Sequence, residues 1–596
     1  MQQSRRSQRS RRELRIKNEN IRNAILDAMD RNNTDFIPGT DVIFVDQGDS
    51  PNPDRNDVVL IPQPSSSPDD PLNWSRKWKA TIILNQLIFV FVSMMTPLAI
   101  SPLTLLFETE FNKSLTEVNI LFGVVAITLG FANIFIVPAA NLFGRRPVIL
   151  VCALICVLAN IWQGLVTSYA SLVGARVIAG IGAAANESIM PMVISDLTFF
   201  HQRGKRLGLY FWAYFLGLFI GPIISGAITA HISWRWFFLD CTILQIASFI
   251  FLLVAHPETK FVRPPHRPSM YDDPTSITTP LPAFSKTPGE PGKREHSSAY
   301  DENKTHIPSR ESALLTASQH QPTSWPSRAH FSLLPQPSNL RFGRAHAHAH
   351  AHAHAPATSC RRTILRDVLA PLRILLCYPI VQLASLATAF AANALLALNL
   401  AQAQLFGAGA YSLGFDDDDL GLVNLAFVLG AAAGLATAGP LSDWAALRGA
   451  RRNGGVVEAE MRLAALFPFA GANVVGLVVA GVGYQRGWEW PVFVGAGYAL
   501  IGLQVVGVPT VAVAYAGDCY KTLPGEIMVA ATIVKNTLGF AIVFCFNNWV
   551  EREGYVKPVV LMMGLTFASC ICGACIFLVC GKCMRRLSVF SGLHYL

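Results

Sequence analysis

The sequence predicts an all-α membrane protein with twelve spanning helices in two six-helix halves, and three observations carry that prediction. The 596 residues are 52% hydrophobic and 15% charged, with a mean hydropathy of +0.37, too apolar for a soluble chain of this length. Twelve apolar runs follow one another, each of the roughly twenty residues that a helix needs to cross a bilayer. A polar segment of about 115 residues separates the first six runs from the last six, and a stretch of that length and composition reads as a linker.

In chain order, residues 1–79 form an N-terminal region with an arginine-dense arm from Arg5 to Arg22. The arm either touches anionic lipid or is a solvated tail. No apolar h-region precedes the first span, so insertion is expected to begin there. Residues 31–71, rich in Pro, Asp, Asn and Ser, are expected to be unstructured. Asn73-Trp74-Ser75-Arg76-Lys77-Trp78-Lys79 then reads as an interface anchor. The N-terminal half, 80–255, holds spans at 80–105, 117–140, 147–168, 171–195, 207–230 and 235–255. The linker, 256–373, is expected to bury no core; within it His346, His348, His350, His352 and His354 alternate with alanine. Clustered imidazoles can bind zinc, but a strict dipeptide repeat reads more simply as low-complexity expansion. The C-terminal half, 374–580, holds spans at 374–405, 420–440, 463–484, 491–515, 525–547 and 557–580, and 581–596 is a tail.

Orientation follows from Lys and Arg. Arg145-Arg146, Arg203 with Lys205-Arg206, Arg448, Arg451-Arg452, Lys521 and Lys582 with Arg585-Arg586 fall on the side of the N-terminal arm. The opposite loops hold Glu108, Glu110 and Asp416 to Asp419. Both termini are therefore expected in the cytoplasm, with the plasma membrane the expected location. Asn112-Lys113-Ser114 is a sequon on the outer side, making Asn112 a glycosylation candidate, whereas the sequon Asn73-Trp74-Ser75 is not expected to be glycosylated. The twelve cysteines lie mostly inside apolar runs and read as small hydrophobes. No metal and no cofactor are expected, and Cys570-x-Cys572-x-x-Cys575 is read as part of a span. The net charge of +9 is gathered on one side and does not point to nucleic acid. No G-x-x-x-x-G-K-S/T loop is present, which argues against ATP-driven pumping, and no enzymatic activity is expected.

Two consecutive spans carry the most information. Arg176-Val177-Ile178-Ala179-Gly180-Ile181-Gly182 runs on to Asn186 and Glu187. Eleven helical residues make close to three turns, so Arg176 and Glu187 share a face roughly 16 Å apart. In the next span Gly217, Gly221 and Ser225 form a small-xxx-small ridge ending at Gly226, and Pro222 removes one helical hydrogen bond. Close approach plus a bend suits a helix that slides or rocks. A leucine at Gly221 is expected to stop transport while leaving the protein in the membrane.

Arg176-x-x-x-Gly180-x-Gly182 resembles the fourth-helix motif of the major facilitator superfamily, and Gly217-x-x-x-Gly221-Pro222-x-x-Ser225-Gly226 resembles its fifth-helix antiporter motif. Within that family the chain is similar to the fungal drug:proton antiporter branch with twelve spans. The resemblance implies two halves around a central cavity, each an inverted pair of three-helix repeats. Gly144-Arg145-Arg146 is similar to the end of the family's signature loop, with Asn141 where an Asp is usual; the equivalent loop of the second half keeps its acid as Asp443, followed by Arg451-Arg452. Asp196 and Asp518 end equivalent spans, Asp196 seven residues before Arg203. Each acid is expected to pair with the arginine-rich loop of its own half and close the cytoplasmic side.

Candidates for substrate and proton coupling are polar groups deep in the membrane, where burial opposes the ionised form of a carboxyl. They are Arg176, Asn186 and Glu187 in the first half, and Glu526, Lys535 and Asn536 in the second. Glu187 is the leading candidate; the alternative is that it pairs with an interior polar partner and only stabilises the bundle. The expected function is proton-coupled export of drugs, polyamines, organic cations or metabolites by alternating access, with a small-molecule substrate, protons and the bilayer as partners and a monomer as the working unit. An uptake symporter and a non-transporting membrane sensor are the rivals.

Overall fold

A computed structural model describes residues 39–42, 60–65, 67–261, 324–332, 359–406, 415, 417–521 and 523–590. Twelve helices within them are long and apolar enough to cross a membrane. They are α1 (Arg76–Met94), α2 (Leu115–Phe143), α3 (Arg145–Leu165), α4 (Tyr169–Leu197), α5 (Phe200–His231), α6 (Trp234–Ala255), α7 (Pro379–Gln402), α8 (Asp419–Arg452), α9 (Ala459–Gln485), α10 (Trp490–Cys519), α11 (Pro524–Glu553) and α12 (Val556–Ser588). The arginine arm and the His-Ala repeat lie outside the described residues.

Burial sorts the spans. In their most apolar stretches, 83% of the residues of α4 and of α10 are buried, which places these helices at the centre, against 39% in α6 and 33% in α12 at the rim. Exposed aliphatics such as Ile243 and Ile250 on α6 or Ile576 and Val579 on α12 provide the apolar surface a hydrocarbon phase requires. Between the halves, α2 packs on α11 and α5 on α8, while α4 reaches α11 and α10 reaches α5. The interface is thus built from symmetry-equivalent pairs.

Several helices outrun the expected spans at their polar ends. Arg203, Lys205 and Arg206 lie in the first turns of α5, and Arg448, Arg451 and Arg452 in the last turns of α8, where cations suit the helix dipole. α1 stops early, at Met94, because Pro97 cannot donate a helical hydrogen bond and disfavours helix in the residue before it. A separate short helix, Thr104–Phe111, follows. Ser114 then caps α2 through a reciprocal Ser114–Glu117 box.

Two stretches expected to lack structure are partly folded. Thr40–Val42 (β1) pairs antiparallel with Val456–Glu458 (β2) between α8 and α9. Asp41 forms an ion pair with Lys521, and the Ala459 N–H donates to Gly39 O at 3.1 Å. Further on, Leu60 and Leu72 bury against Phe199, and the Phe200 N–H donates to Ile61 O at 2.7 Å. The N-terminal region therefore touches both halves on the side where the linker leaves α6, called here the linker side. Part of the linker docks there too: the Ser75 N–H donates to Ser324 O at 3.0 Å, and Glu258 N–H to His330 O at 2.8 Å. Trp74 is fully buried, edge-on to His330 at 5.5 Å, and is not a lipid-interface anchor. Single apolar residues spaced through polar sequence leave no periodicity to read.

Asn112 is exposed on the opposite side, in a left-handed conformation at the end of its short helix. The Asn73 amide is instead occupied, donating to Ser65 O at 2.7 Å and Ser67 O at 2.8 Å. Glycosidase treatment of protein from a eukaryotic host is expected to give a gel shift that Asn112→Gln removes and Asn73→Gln leaves unchanged. The reverse pattern overturns the orientation.

Candidate functional site: a buried ion pair between the halves and a closed linker side

The centre of the bundle joins α4 to α11. Glu187 is buried, and its Oε1 accepts from the Lys535 ammonium and the Tyr214 hydroxyl of α5. Its Oε2 accepts from Asn536 Nδ2 at 2.9 Å. Lys535 also donates to the Tyr214 hydroxyl at 3.0 Å and lies 4.9 Å from that ring's centroid. Carboxylate, ammonium, phenol and amide thus satisfy one another away from water, as buried charges require. Adjacent residues on α11 reach the same carboxylate. Asn186 faces elsewhere: its carbonyl accepts from the Tyr210 hydroxyl at 2.8 Å, while its buried side-chain amide makes no hydrogen bond among the described residues.

Arg176 does not join this cluster. It is fully buried toward the opposite end of α4, donating to Thr96 O at 2.8 Å with its guanidinium 5.4 Å from the Phe238 ring. Glu526 is also apart, in the first turn of α11, where its carboxylate accepts from Asn141 Nδ2 at 3.5 Å. Asn141 stands where the resemblance leads one to expect an acid, so here the carboxylate of that contact comes from the other half.

On the linker side, Gly144 takes φ +104° and lets α3 start directly after α2. The Arg145 and Arg146 N–H groups donate to the two oxygens of Glu258, at 3.0 and 3.1 Å, so a carboxylate seals the helix N-terminus. Arg146 also donates to Leu253 O at 2.7 Å, and Arg145 forms an ion pair with Asp196. Lys260 donates to Asn141 O at 2.5 Å; burial lowers the pKa of its ammonium against the opposing pull of Glu258. Burial and the charge of Arg146 hold the His256 imidazole down to about 3, so it stays neutral.

The second half closes through Arg462. This buried guanidinium donates to Asp518 and to Asp443 at 2.7 Å, to the Ser442 hydroxyl at 3.1 Å and to Phe200 O at 3.0 Å. Asp443 accepts in turn from the Gly204 and Lys205 N–H groups of α5, at 3.1 and 2.9 Å. Arg203 donates to Asp518 at 3.0 Å. Asp196 therefore pairs within its own half, while Asp518 pairs with an arginine from each half. Arg451 and Arg452 stand exposed at the end of α8, and neither binds Asp443 or Asp518. Gly204 sits where an added Cβ would come within 2.5 Å of Asp443 Oδ1, so only glycine permits this approach.

The glycines of the sequence motifs serve packing. A Cβ at Gly180 would overlap Thr128 of α2, and one at Gly182 would lie 2.8 Å from Cys156 Sγ of α3. Cβ atoms at Gly217 and Gly221 would overlap Phe91 O and Met95 O, at the end of α1. The Ser225 hydroxyl donates to Ala99 O at 2.6 Å, and Pro222 and Gly226 are buried in the same seam. The backbone at Pro222 also meets α8, since a Cβ at Gly421 would lie 2.8 Å from Pro222 O.

Sequence reasoning noted Glu460-Met461-Arg462-Leu463 as a family-like stretch but gave no role to Arg462, and it missed Tyr214, Glu258 and the bidentate pair of Arg585 with Glu460, at 2.8 and 2.7 Å. Arg462 left one signal, a guanidinium at the polar end of an apolar span. Tyr214 left a weaker one, a second hydroxyl four residues after Tyr210. Removal of Arg462 leaves buried Asp518 with Arg203 and buried Asp443 with two backbone N–H groups; breaking a buried ion pair typically costs about 3–5 kcal/mol. Arg462→Ala is expected to lower the melting temperature in detergent sharply. Arg462→Lys should recover part of it, because one ammonium cannot serve four acceptors in a fork geometry. Equal melting of both variants and the wild type removes Arg462 from the closure.

The Major Facilitator Superfamily profile matches residues 82–543. An MFS-type transporter of Schizosaccharomyces pombe is 27% identical over 89% of this chain and 88% of its own length. Protein HOL1 of Saccharomyces cerevisiae is 26% identical, covering 90% and 94%. Among solved structures, the proton:xylose symporter XylE superposes with TM-score 0.52 at 13% identity, covering 85% of this chain and 96% of that one, which shows the shared fold. A family profile spanning most of the chain, twelve spans in two halves and full-length transporter relatives lead to one conclusion: this chain belongs to the Major Facilitator Superfamily and is a transporter of small solutes, not an enzyme.

Proposed function

We propose that the protein exports small organic molecules, organic cations or amphipathic metabolites and drugs, in exchange for protons. The linker side is the cytoplasmic side on this reading, and the plasma membrane is its location. The observation that supports it most is the bonding of Glu187 across the interface between halves to Lys535 and Asn536. A carboxylate in that position couples its own charge to the contact between α4 and α11: ionised, it holds the ammonium; protonated, it loses the ion pair and weakens the contact. Arg462, Arg203 and Asp443, each bonded across to the other half, keep the linker side shut while the centre is in this state. Opening requires breaking those bonds, and an alternating-access carrier must offset that cost with binding energy or a gradient. A proton gradient supplies about 1.4 kcal/mol per pH unit.

The test is flux in proteoliposomes under an imposed pH gradient, with methylguanidinium as a probe that stays charged and cannot be trapped as a weak base. An antiporter accumulates it in the acidic compartment. Accumulation in the alkaline compartment identifies a symporter, and no gradient-driven flux for this or a panel of cationic drugs refutes the proposal.

A further inference from the structure

The nitrogen of Lys535 is held as the nitrogen of an incoming cation would be. The Glu187 carboxylate, the Tyr214 hydroxyl at 3.0 Å and the Tyr214 ring face at 4.9 Å converge on it. A carboxylate beside an aromatic face is a receptor for organic ammonium ions. The side chains of the pair differ in exposure, 13% for Lys535 against 3% for Glu187, so the lysine is the partner with a way out. Its stem is flexible, and the backbone beneath stays anchored by Asn393 Nδ2, which donates to Lys535 O at 3.2 Å. The titratable groups facing Glu187 are Tyr210 and Tyr214 from α5 and Lys535 from α11. Arg176, the cation of α4 itself, is engaged by Thr96 about three turns from Glu187.

Resting on the reading of this cluster as a transport site, we propose that Lys535 is a tethered occupant of the substrate's own site: a small organic cation bearing an N–H donor binds Glu187 by displacing the Lys535 ammonium. The exchange swaps one cation for another, so the buried carboxylate never stands uncompensated in a medium where that is costly. An anionic substrate fits worse, because pairing with Lys535 would strand Glu187. Competition by a tethered group lowers apparent affinity by the fraction of time the site is free. A lysine that occupies it nine-tenths of the time weakens binding about tenfold.

The test uses N,N-dimethylbutylammonium and the purified full-length protein in detergent, without a gradient, so it can succeed even where export fails. Calorimetry is expected to show at least tenfold tighter binding to Lys535→Met and Lys535→Gln than to the wild type, and none to Glu187→Gln/Lys535→Met. Unchanged or weaker binding to the lysine variants overturns the proposal and makes Lys535 a direct ligand or a strut. Should neither variant fold, the wild type decides through reductive methylation read by mass spectrometry. The tertiary probe cannot itself be methylated, and it should raise modification of Lys535 in proportion to occupancy. No rise at saturating probe, or no binding of the probe at all, refutes the displacement.

Discussion

Gly221→Leu is expected to yield no assembled protein. A Cβ at Gly221 would overlap the Met95 carbonyl oxygen, and that turn of backbone cannot retreat easily. Met95 N–H donates to Val92 O at 3.3 Å, and the Ser225 hydroxyl ties α5 to Ala99 O at 2.6 Å, four residues further along each chain. Overpacking by one methylene typically costs 1–3 kcal/mol when side chains can move, and a clash with backbone costs more. Gly221→Ala is therefore expected to lower the melting temperature as well, and leucine should abolish the monodisperse peak in size-exclusion chromatography. Gly564→Ala on α12, with open space around it, is the matched control and should behave as wild type. A monodisperse Gly221→Leu protein would show that the α1–α5 seam is looser than described. The outcome differs from the sequence expectation, in which the leucine stops transport but spares assembly. Small-xxx-small spacing reveals a close contact but not whether side chain or backbone lies opposite. Pro222→Ala is the substitution that isolates movement, since it restores a helical N–H without adding bulk at the contact.

How far the sequence was legible depended on how local each signal was. Span number and placement follow from hydropathy and length, both properties of a short window, and the helices fall close to the expected positions. Glu187, Lys535 and Asn536 each stood out as polar groups at depth. Their meeting was not readable, because Glu187 and Lys535 lie 348 residues apart and only the packing of α4 on α11 brings them together. The linker-side network failed in a different way. Arg451-Arg452 were chosen for their loop-like setting, yet the fold extends α8 through them into solvent and gives Asp443 and Asp518 the buried Arg462 instead. The ordered parts of the N-terminal region and linker were invisible because each rests on a few apolar residues or three ladder positions, below any periodicity.

Glu187→Gln is expected to leave a folded carrier that no longer accumulates substrate against a pH gradient. The amide fills the volume of the carboxyl and can still accept from Tyr214, so packing survives. It cannot take up or release a proton, and it leaves the ammonium of Lys535 without a counter-charge beside the Tyr214 hydroxyl and ring. An uncompensated buried cation costs several kcal/mol, so the single variant should also melt earlier than the wild type. That overlap of effects is why the double variant Glu187→Gln/Lys535→Met matters. It removes both charges together, and stability should return toward the wild-type value. If Glu187 only holds the bundle together, uphill transport returns with stability. If Glu187 carries the proton, stability returns and gradient-driven accumulation stays at least tenfold down. Full uphill transport by the double variant would place the coupling acid elsewhere, and Glu526, whose carboxylate joins α11 to Asn141 of the other half, is the next to replace.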